Sequence, residues 1–354
     1  MKNKLIVIAL ILIIGLTIFA GCSLWPENNL PYATEGLEDA DDINEDLIVV
    51  GFSQLGSESD WRTANTKSIQ DALTEENGFL LIFSNGRQKQ ENQIKAIRNF
   101  ISQEVDYIVF APITETGWDT VLEEAKEAGI PVIVIDRMVN VEDDSLYTAM
   151  VGSDTYLEGK NAGEWLEKYI QEKTIEQQTD KELLNPGRES VNIVVLEGTL
   201  DSTAQIGRTN GFNDIAKRNE NWTILATEDG DFTKAKGKEV MVMLLQKYED
   251  IDVVVSQNDD MTFGAIEAIH EAGLTCGVDG EITIISFDAV SEAFDMMEQG
   301  LINVDIECNP LSGPIIVDII ERLENKEPVE KQLFVEESVF EAENAAKDRV
   351  GREY

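Results

Sequence analysis

Two charged residues, Asp136 and Arg137, directly follow the apolar run 132–135. Neighbouring residues of a strand point to opposite faces, so a covered strand holding both charges would bury at least one of them at considerable cost. The chain therefore leaves the sheet here. A carboxylate that accepts hydrogen bonds and a guanidinium that donates them suit the hydroxyl groups of a polyol, because each hydroxyl does both. A salt bridge that joins two loops is the structural alternative.

Polar residues also follow the other apolar runs of the chain. Hydroxyls, neutral amides, carboxylates and an occasional arginine occupy the segments 53–58, 84–88, 111–114, 197–199, 228–232, 256–260 and 287–288. Trp61 and Phe232 lie near these segments and offer flat faces to the C–H groups of a sugar ring. Trp118 begins a predicted helix and is assigned to the core. The pattern favours a site for a neutral polyol.

Catalytic chemistry has little support in the sequence. The single histidine, His270, lies near a predicted helix end, where a cation stabilises the helix dipole. No glycine-rich phosphate loop of the G-x-G-x-x-G or G-x-x-x-x-G-K-[ST] type follows a strand, which argues against a nucleotide cofactor. Asp259 and Asp260 form a carboxylate pair that a glycosidase could use, but such pairs are common at helix starts. We expect no enzyme activity, no cofactor and no metal.

Two sets of strands position these polar segments. The first set is predicted at 47–52, 79–83, 107–110 and 131–135, with helices at 62–77, 90–103 and 117–129. The second set is predicted at 191–196, 222–225, 251–255 and 282–285, with helices at 204–219, 233–248 and 261–272. Strand–helix alternation indicates parallel sheets with right-handed crossovers. The late strands 301–307 and 333–340 are candidates to pass between the two lobes.

The alternation, made twice, predicts an α/β protein of two doubly wound parallel-sheet lobes rather than one large sheet. Ligands of open parallel sheets bind beyond the carboxyl ends of the strands. The polar segments lie at those ends. Two such edges facing each other would form a polar cleft.

The first 45 residues read as an export and anchoring segment. Lys2 and Lys4 precede the 16-residue apolar stretch 5–20, which suits a signal peptide core better than a membrane span. The following 19–22 (FAGC) resembles the lipobox of bacterial lipoproteins. We expect a signal peptide at 1–21, lipidation of Cys22 and an acidic tether at 22–45; an uncleaved anchor is the alternative.

The composition excludes several partners. The chain has 354 residues, with 68 Asp and Glu against 28 Lys and Arg, for a formal charge of −40. Nucleic acid and anionic lipid both require clustered cations, so neither is expected to bind the folded body. Cys276 and Cys308 remain after the anchoring cysteine. They are expected at opposite ends of the α/β layer, as two inert thiols rather than a disulfide.

Long motifs in the chain resemble sugar-binding receptors of bacterial ABC importers. They are VGFSQLGSESDWRTANT (50–66), GRQKQENQIKAIRNF (86–100), APITETGWDTVLEEAKEAGIPVIVIDR (111–137), GDFTKAKGKEVM (230–241) and QNDDMTFGAIEAI (257–269). The resemblance runs from about residue 47 to 340. It points to the ribose-binding-like group and, within it, to the galactofuranose-type receptors.

The resemblance implies the type I periplasmic binding protein fold, with a three-crossing hinge and the ligand cleft between the lobes. Lobe 1 would comprise 46–153 and 309–335, and lobe 2 would comprise 154–308 and 336–354. The ligand contacts implied position by position are Glu58, Trp61, Arg62, Asp136, Arg137, Arg208, Asn258 and Asp288. Asn309 stands near the place where the ribose type has a hinge glutamine. Gln88 and Phe232 are added from the strand-end pattern.

The implied function is capture of a monosaccharide, galactofuranose or a related furanose or pentose, and its delivery to the permease and ATPase of an ABC importer. We expect a monomer on the outer face of the cell membrane, held by its lipid anchor only. A ligand-sensing subunit for a membrane kinase or chemoreceptor is the alternative function. A transcriptional regulator of this fold would carry an N-terminal helix-turn-helix, where this chain has an export signal.

Overall fold

The computed structural model of the protein describes residues 47–176, 190–352 and 354, and Asp46–Tyr354 forms one compact unit. Its twelve described strands are β1 (Ile48–Gln54), β2 (Phe79–Asn85), β3 (Tyr107–Phe110), β4 (Val132–Ile135), β5 (Ala149–Gly152), β6 (Val191–Glu197), β7 (Trp222–Asp229), β8 (Val253–Ser256), β9 (Thr283–Asp288), β10 (Val304–Glu307), β11 (Gln332–Phe334) and β12 (Val339–Glu341).

The described α-helices alternate with these strands. They are α1 (Asp60–Ala72), α2 (Gln90–Ser102), α3 (Asp119–Glu127), α4 (Thr155–Glu176), α5 (Thr203–Ala216), α6 (Lys234–Lys247), α7 (Asp259–Glu271), α8 (Ser291–Glu298), α9 (Gly313–Glu324) and α10 (Ala345–Asp348). Short 3-10 turns lie at Glu75–Asn77, Asp144–Leu146 and Ala342–Asn344. No helix in this described part of the chain is long and apolar enough to cross a bilayer.

Lobe 1 is built on a six-stranded parallel sheet in the order β11-β5-β4-β3-β1-β2. Helices α1 and α9 cover one face, where Ile69, Ile316 and Ile320 join the apolar side chains of the strands. Helices α2 and α3 cover the other face through residues such as Phe100 and Leu122. The sheet is thus buried on both faces, which explains its continuous apolar strands.

Lobe 2 repeats this plan with the order β12-β10-β9-β8-β6-β7. Its strands are parallel except β12, which runs antiparallel to β10. Helices α4 and α5 pack on one face, and α6, α7 and α8 on the other. The two doubly wound parallel-sheet lobes predicted from the sequence are confirmed.

The chain crosses between the lobes three times. The crossings are the connections from β5 to α4, from β10 to α9 and from β11 to β12. The strand predicted at 333–340 is wrong as a single element, because its two halves pair in different sheets as β11 and β12. The predicted strand 301–307 does not pass between the lobes. Only Val304–Glu307 is extended, and it pairs with β9 inside lobe 2.

The sequence patterns placed the other elements with errors at their ends. The helix predicted at 62–77 is α1 followed by a separate 3-10 turn, and β7 and β9 run several residues past their predicted ends. Strand β5 and helices α4, α8 and α9 were not predicted. Trp118 is fully buried against Phe110, as expected of a core residue. Cys276 and Cys308 are buried and free, as predicted.

Candidate ligand-binding site

A cavity of about 30 Å³ lies where the carboxyl ends of the strands of the two lobes meet. A space of that size holds about one or two water molecules. It is lined by Glu58, Ser59, Trp61, Arg62, Asp136, Arg137, Thr155, Ala204, Arg208, Phe232, Asn258, Asp288 and Cys308. Charged, amide and aromatic groups from both lobes therefore surround one small volume.

The first loop of lobe 1 places two of the charges. Ser59 is the N-cap of α1, and its hydroxyl accepts a hydrogen bond from the Arg62 backbone N–H at 3.1 Å. The cap sets Glu58 and Arg62 one helical turn apart. Arg62 Nε donates to Glu58 Oε1 at 2.9 Å, and both side chains are almost completely buried.

Asp136 and Arg137 follow β4 at the same edge. Asp136 has a φ of 62°, a left-handed conformation that turns the chain out of the sheet at the point predicted. Its Oδ2 lies 2.6 Å from Nη2 of Arg62 and 3.7 Å from Nε of Arg137. Asp136 is thus paired mainly with Arg62.

Arg137 has few partners for a buried cation. Its Nη1 donates to the Ile113 carbonyl at 2.9 Å. Its Nε has no hydrogen-bond partner among the described residues, and neither has Oε2 of Glu58. Since both side chains line the cavity, lobe 1 offers an unused donor and an unused acceptor beside it.

Burial and neighbouring charges shift the pKa values of the two arginines of lobe 1 in opposite directions. Burial opposes the charged form of Arg62, but the carboxylates of Asp136 and Glu58 outweigh it and raise the pKa of Arg62. Burial lowers the pKa of Arg137, and the neighbouring Arg62 cation lowers it further. Arg62 is therefore compensated by the protein, whereas Arg137 is only partly compensated.

Arg208 is the corresponding cation of lobe 2. It lies on α5, and its Nε approaches Glu158 Oε2 at 2.5 Å while its Nη2 approaches Asp288 Oδ1 at 3.2 Å. Its Nη1 donates to the Gln257 carbonyl. Helices α4 and α5 must pack closely for this network, and Gly207 permits it, because a Cβ there would lie 2.0 Å from the Thr155 hydroxyl oxygen.

Asp288 ends β9 in an unusual backbone conformation. Its φ is 109°, and that of Ala289 is 59°. Burial raises the pKa of Asp288 and outweighs the opposite effect of Arg208. The Arg208 guanidinium also lies 5.0 Å from the Phe287 ring centroid. Burial opposes the charged form of Arg208, but Glu158 and Asp288 raise its pKa well above the usual value.

Asn258 and Phe232 complete the wall of lobe 2. The Asn258 side-chain oxygen caps α7 by accepting from the Met261 N–H at 3.0 Å, and its Nδ2 donates to the Phe232 carbonyl at 3.3 Å. The Phe232 ring centroid lies 5.6 Å from the Arg137 guanidinium of lobe 1. Its position depends on Gly198, where a Cβ would lie 1.8 Å from the ring.

Trp61 connects lobe 1 with lobe 2 and the hinge. Its indole N–H donates to the Cys308 carbonyl at 2.6 Å, and its ring packs with the apolar core of lobe 2. The Arg62 guanidinium lies 4.7 Å from the same ring. Trp61 therefore forms an aromatic wall of the cavity, and its hydrogen bond holds the indole ring against the second crossing.

Hydrogen bonds between the lobes lie at the rim of the cavity. Thr203 of lobe 2 donates to Glu115 at 2.8 Å and accepts from the Met138 N–H at 2.8 Å. The Asp60 N–H donates to the Asp260 carboxylate at 3.1 Å. These contacts join the two lobes beside the cavity.

The structure places Gln88 and Asn309 differently from the other predicted contacts, which all line the cavity. Gln88 is exposed in a left-handed turn, with its backbone N–H bonded to the Leu55 carbonyl. Asn309 lies in the second crossing, where its side-chain oxygen accepts from the Leu311 N–H at 2.9 Å. The role of both as ligand contacts stays a prediction.

Several residues at the site escaped the sequence analysis. Ser59, Thr155, Ala204 and Cys308 also line the cavity, and Glu158 holds Arg208. Thr155 and Glu158 lie on α4, which was not predicted. The apolar residues Ala162, Trp165, Leu166 and Ile170 recur at helical spacing and are buried, so they were the available signal for this helix.

One group of side chains has the composition of a metal site. Ligand atoms of Glu158, Cys308 and Glu337 lie within 4.8 Å of one another. Burial raises the pKa of the Cys308 thiol, and burial with the nearby Glu158 carboxylate raises the pKa of Glu337 to about 9. Protonated ligands and the Arg208 cation on Glu158 both disfavour metal binding here. Ser153 of the first crossing instead contacts Cys308 of the second crossing and Glu337 of the third, so these residues lie where the three crossings meet.

The fold and this site together have the form of a two-lobed binding protein with a small polar cavity between its lobes. Comparison with known proteins agrees: residues 50–310 match the model of the periplasmic binding protein domain, and the chain belongs to that family. It is 39% identical to the galactofuranose-binding protein YtfQ of Escherichia coli K12, over 86% of this chain and 90% of that protein.

Two solved structures show the same architecture with bound furanoses. A protein from Mycobacterium smegmatis in complex with β-D-fucofuranose is 41% identical, with a TM-score of 0.78 and coverage of 85% of this chain and 93% of the other. The arabinose-transporter binding protein of Shewanella sp. ANA-3, bound to L-arabinofuranose, is 40% identical, with a TM-score of 0.76 and coverage of 86% and 95%.

Proposed function

We propose that this protein is an extracytoplasmic receptor that captures one furanose sugar between its lobes and delivers it to an ABC importer. The observation that carries the proposal is the shared cavity, on which Asp136 and Arg137 of lobe 1 and Arg208, Asn258 and Asp288 of lobe 2 converge. A ligand bound by both lobes stabilises the closed form, because only that form makes both sets of contacts.

The chemistry of the site matches a neutral sugar. Sugar hydroxyls would accept from Arg137 and Arg208 and donate to Asp136, Asp288 and Glu58, each bond involving a charged partner. Phe232 and Trp61 supply aromatic walls for the C–H groups of the ring. The charged side chains are already arranged by one another, so little ordering cost remains at binding. No reaction is part of this function.

The relatives narrow the sugar class. One relative is named for galactofuranose, and the other two contain bound fucofuranose and arabinofuranose. Each is about 40% identical to this chain over most of both chains. We therefore place five-membered sugar rings ahead of pyranoses.

Anchoring and organisation form the remainder of the proposal. The signal peptide 1–21, the lipidated Cys22 and the acidic tether 22–45 lie outside the described residues. The lobe boundaries 46–153 with 309–335, and 154–308 with 336–354, are supported by the pairing of β11 in sheet 1 and β12 in sheet 2. A monomer held at the outer face of the cell membrane would present its closed form to the permease.

A melting scan of the protein against galactofuranose, arabinose, ribose, fructose and galactose tests the sugar. A ligand at 100 times its dissociation constant adds about 2.7 kcal/mol, a shift of a few degrees for a protein this size. A larger shift with methyl galactofuranoside than with methyl galactopyranoside, whose rings cannot interconvert, supports the preference for a furanose. The absence of a shift with every sugar would overturn the proposal.

The site is tested by Asp136→Ala measured by calorimetry. The substitution removes the partner of Arg62 and a proposed acceptor for ring hydroxyls, so sugar binding should be abolished while the far-UV spectrum stays unchanged. Unchanged affinity would exclude this site. Copurification with a permease or with a membrane kinase would then distinguish import from sensing.

A further inference from the structure

Arg352 and Tyr354 lie beside the ends of β9 and β10, close to Asp288. Arg352 Nη2 donates to the Ala289 carbonyl at 2.9 Å, and its Nη1 lies 2.9 Å from Glu307 Oε1. Only 11% of the Arg352 side chain is exposed. The cation therefore ties the residue after Asp288 to the last residue of β10.

Aromatic rings enclose this cation. Its guanidinium lies 4.8 Å from the Phe294 centroid, 4.7 Å from Phe340 and 4.5 Å from Tyr354. Attraction between a cation and a ring is strongest when water is excluded. The Tyr354 hydroxyl also donates to Glu307 Oε1 at 2.7 Å. Two hydrogen-bonded nitrogens and three rings thus hold Arg352 in place, although its Nε has no hydrogen-bond partner among the described residues.

The backbone that Arg352 holds is strained. Asp288 and Ala289 both have positive φ values, 109° and 59°, although neither is glycine. Such residues keep this conformation only where the surroundings determine it. The Ala289 N–H donates to Asp305 at 3.1 Å and its carbonyl accepts from Arg352, so both polar groups of Ala289 are held.

The ion pair between Arg352 and Glu307 also lies next to the hinge. Glu307 is opposite Asp288 in the register of β9 and β10, and it directly precedes Cys308, whose carbonyl accepts the Trp61 N–H. A change at Arg352 would therefore affect the two strand ends that flank the cavity. It would do so without removing any residue that lines it.

We propose that Arg352 is a positioning residue for ligand binding: it holds the strained turn 288–289 so that the Asp288 carboxylate meets the ligand. The inference rests on the proposed function, because it uses Asp288 as a ligand contact. A purely structural role for Arg352 would change stability but not the contribution of Asp288 to affinity.

The affinity test compares Arg352→Met with Arg349→Met in the full-length protein. Arg349 lies near Arg352 in the chain but is 40% exposed and pairs with Asp295 and Glu298 on the surface. Titration with the sugar identified by the melting scan should show about tenfold weaker binding for Arg352→Met, the effect of a lost charged hydrogen bond. Arg349→Met should bind like the unaltered protein.

A double substitution separates positioning from general destabilisation. In an Asp288→Asn background, Arg352→Met should weaken binding by less than about twofold, because the carboxylate that it positions is gone. Equal losses in both backgrounds would overturn the positioning role. If Asp288→Asn leaves affinity unchanged, the positioning role and the use of Asp288 in the proposed function both fail. If Asp288→Asn weakens binding and Arg352→Met does not, only the positioning role fails.

Hydrogen exchange measures the turn without any sugar. The amides of Ala289 and Val290 donate to Asp305 and Asp259, so they report whether the turn is held. Arg352→Met should speed their exchange about tenfold or more, relative to Arg349→Met, while amides in the centre of β8 stay unchanged. Unchanged exchange at 289 and 290 would overturn the inference even if the protein bound no sugar.

Discussion

The two sides of the cleft each present a buried arginine, but the protein satisfies them differently. Arg208 of lobe 2 uses Nε, Nη1 and Nη2 on Glu158, the Gln257 carbonyl and Asp288. Arg137 of lobe 1 bonds to the Ile113 carbonyl, and its Nε has no hydrogen-bond partner within the described residues. Their side chains are equally buried, with 3% exposed in each case.

The difference suggests a division of work between the lobes. A buried cation without enough partners is costly, and a ligand that completes its hydrogen bonds recovers this cost. In the proposed complex, Arg208 of lobe 2 would meet the ligand with its protein partners already in place, whereas Arg137 Nε and Glu58 Oε2 of lobe 1 would gain partners only from the ligand. Burial lowers the pKa of Arg137, while the carboxylates around Arg208 raise its pKa despite burial, which agrees with this division.

The largest expected effect is on stability, from Arg208→Met. The change leaves the buried Glu158 and Asp288 without their cation. We expect unfolding to require about 3–5 kcal/mol less free energy, measured by urea denaturation. Arg98→Met, which removes an exposed pair with Glu124, is the control and should have little effect. A loss below about 1 kcal/mol for Arg208→Met would contradict the view that Arg208 is satisfied by its protein partners.

Arg137→Met should weaken sugar binding strongly while changing the stability of the fold little. Asp136 keeps Arg62 at 2.6 Å, so no carboxylate is left unpaired and the free energy of unfolding should change by less than about 1 kcal/mol. Sugar affinity by calorimetry should fall by about 100-fold, because charged hydrogen bonds to the ligand are lost. If Arg137→Met lowered the free energy of unfolding strongly but left sugar affinity unchanged, Arg137 and Arg208 would not differ in the way proposed.

Acid should tighten binding through Asp260, at the rim between the lobes. Burial raises the pKa of Asp260 from 3.8 to about 6, and the Asp60 N–H only partly offsets this. A raised pKa in the closed form means that closure is favoured most below the ordinary pKa, and the advantage is lost as pH rises through about 6. The other charged groups near Asp260 are Asp60, Glu58, Glu292, Lys234 and Asp288.

Comparison of the unaltered protein with Asp260→Asn isolates the contribution of Asp260 to the pH dependence of sugar affinity. Affinity should rise by up to about tenfold between about pH 7 and pH 5, and Asp260→Asn should remove this part of the pH dependence. Other buried acids of the site titrate in both proteins and cancel in the comparison. Identical pH profiles of affinity for the two proteins would show that protonation of Asp260 is not linked to closure of the lobes.

The smallest effect is expected from Asp60→Ser. The backbone N–H that donates to Asp260 remains, and only the nearby carboxylate is lost. The pKa of Asp260 should then move toward its ordinary value, and affinity near neutral pH should tighten by about twofold. Calorimetry of the single variant and of Asp60→Ser with Asp260→Asn tests this. If Asp60→Ser tightened binding equally with and without Asp260→Asn, the effect would not come from repulsion between Asp60 and Asp260.

The sequence predicted the strands that carry the site because their patterns are local. The run 132–135 reads as a covered strand, and the charges after it force the chain out of the sheet at Asp136, as its φ of 62° shows. By contrast, Ala149–Gly152 is a four-residue strand in a stretch of mixed residues and was not predicted. Short elements leave too little pattern, so tertiary pairing decides them.

The partners of the charged residues could not be predicted from the same patterns. Asp136 precedes Arg137 in sequence but pairs with Arg62, and Arg208 pairs with Glu158 from a helix that the sequence analysis did not place. A salt bridge depends on which loops the fold brings together and on the few ångströms between their side chains. Sequence spacing carries no information on either quantity for segments that lie far apart in the chain.

The sequence by itself determined the two α/β lobes, the polar strand ends and the kind of ligand that those ends suit. These features follow from periodicity, burial and hydrogen-bonding chemistry, which are local properties of the residues. The tertiary structure alone decided that Arg208 is satisfied and Arg137 is not, that Trp61 reaches the Cys308 carbonyl, and that Arg352 supports the turn at Asp288. Each of these depends on packing between segments far apart in the chain, where a displacement of one ångström changes the partner.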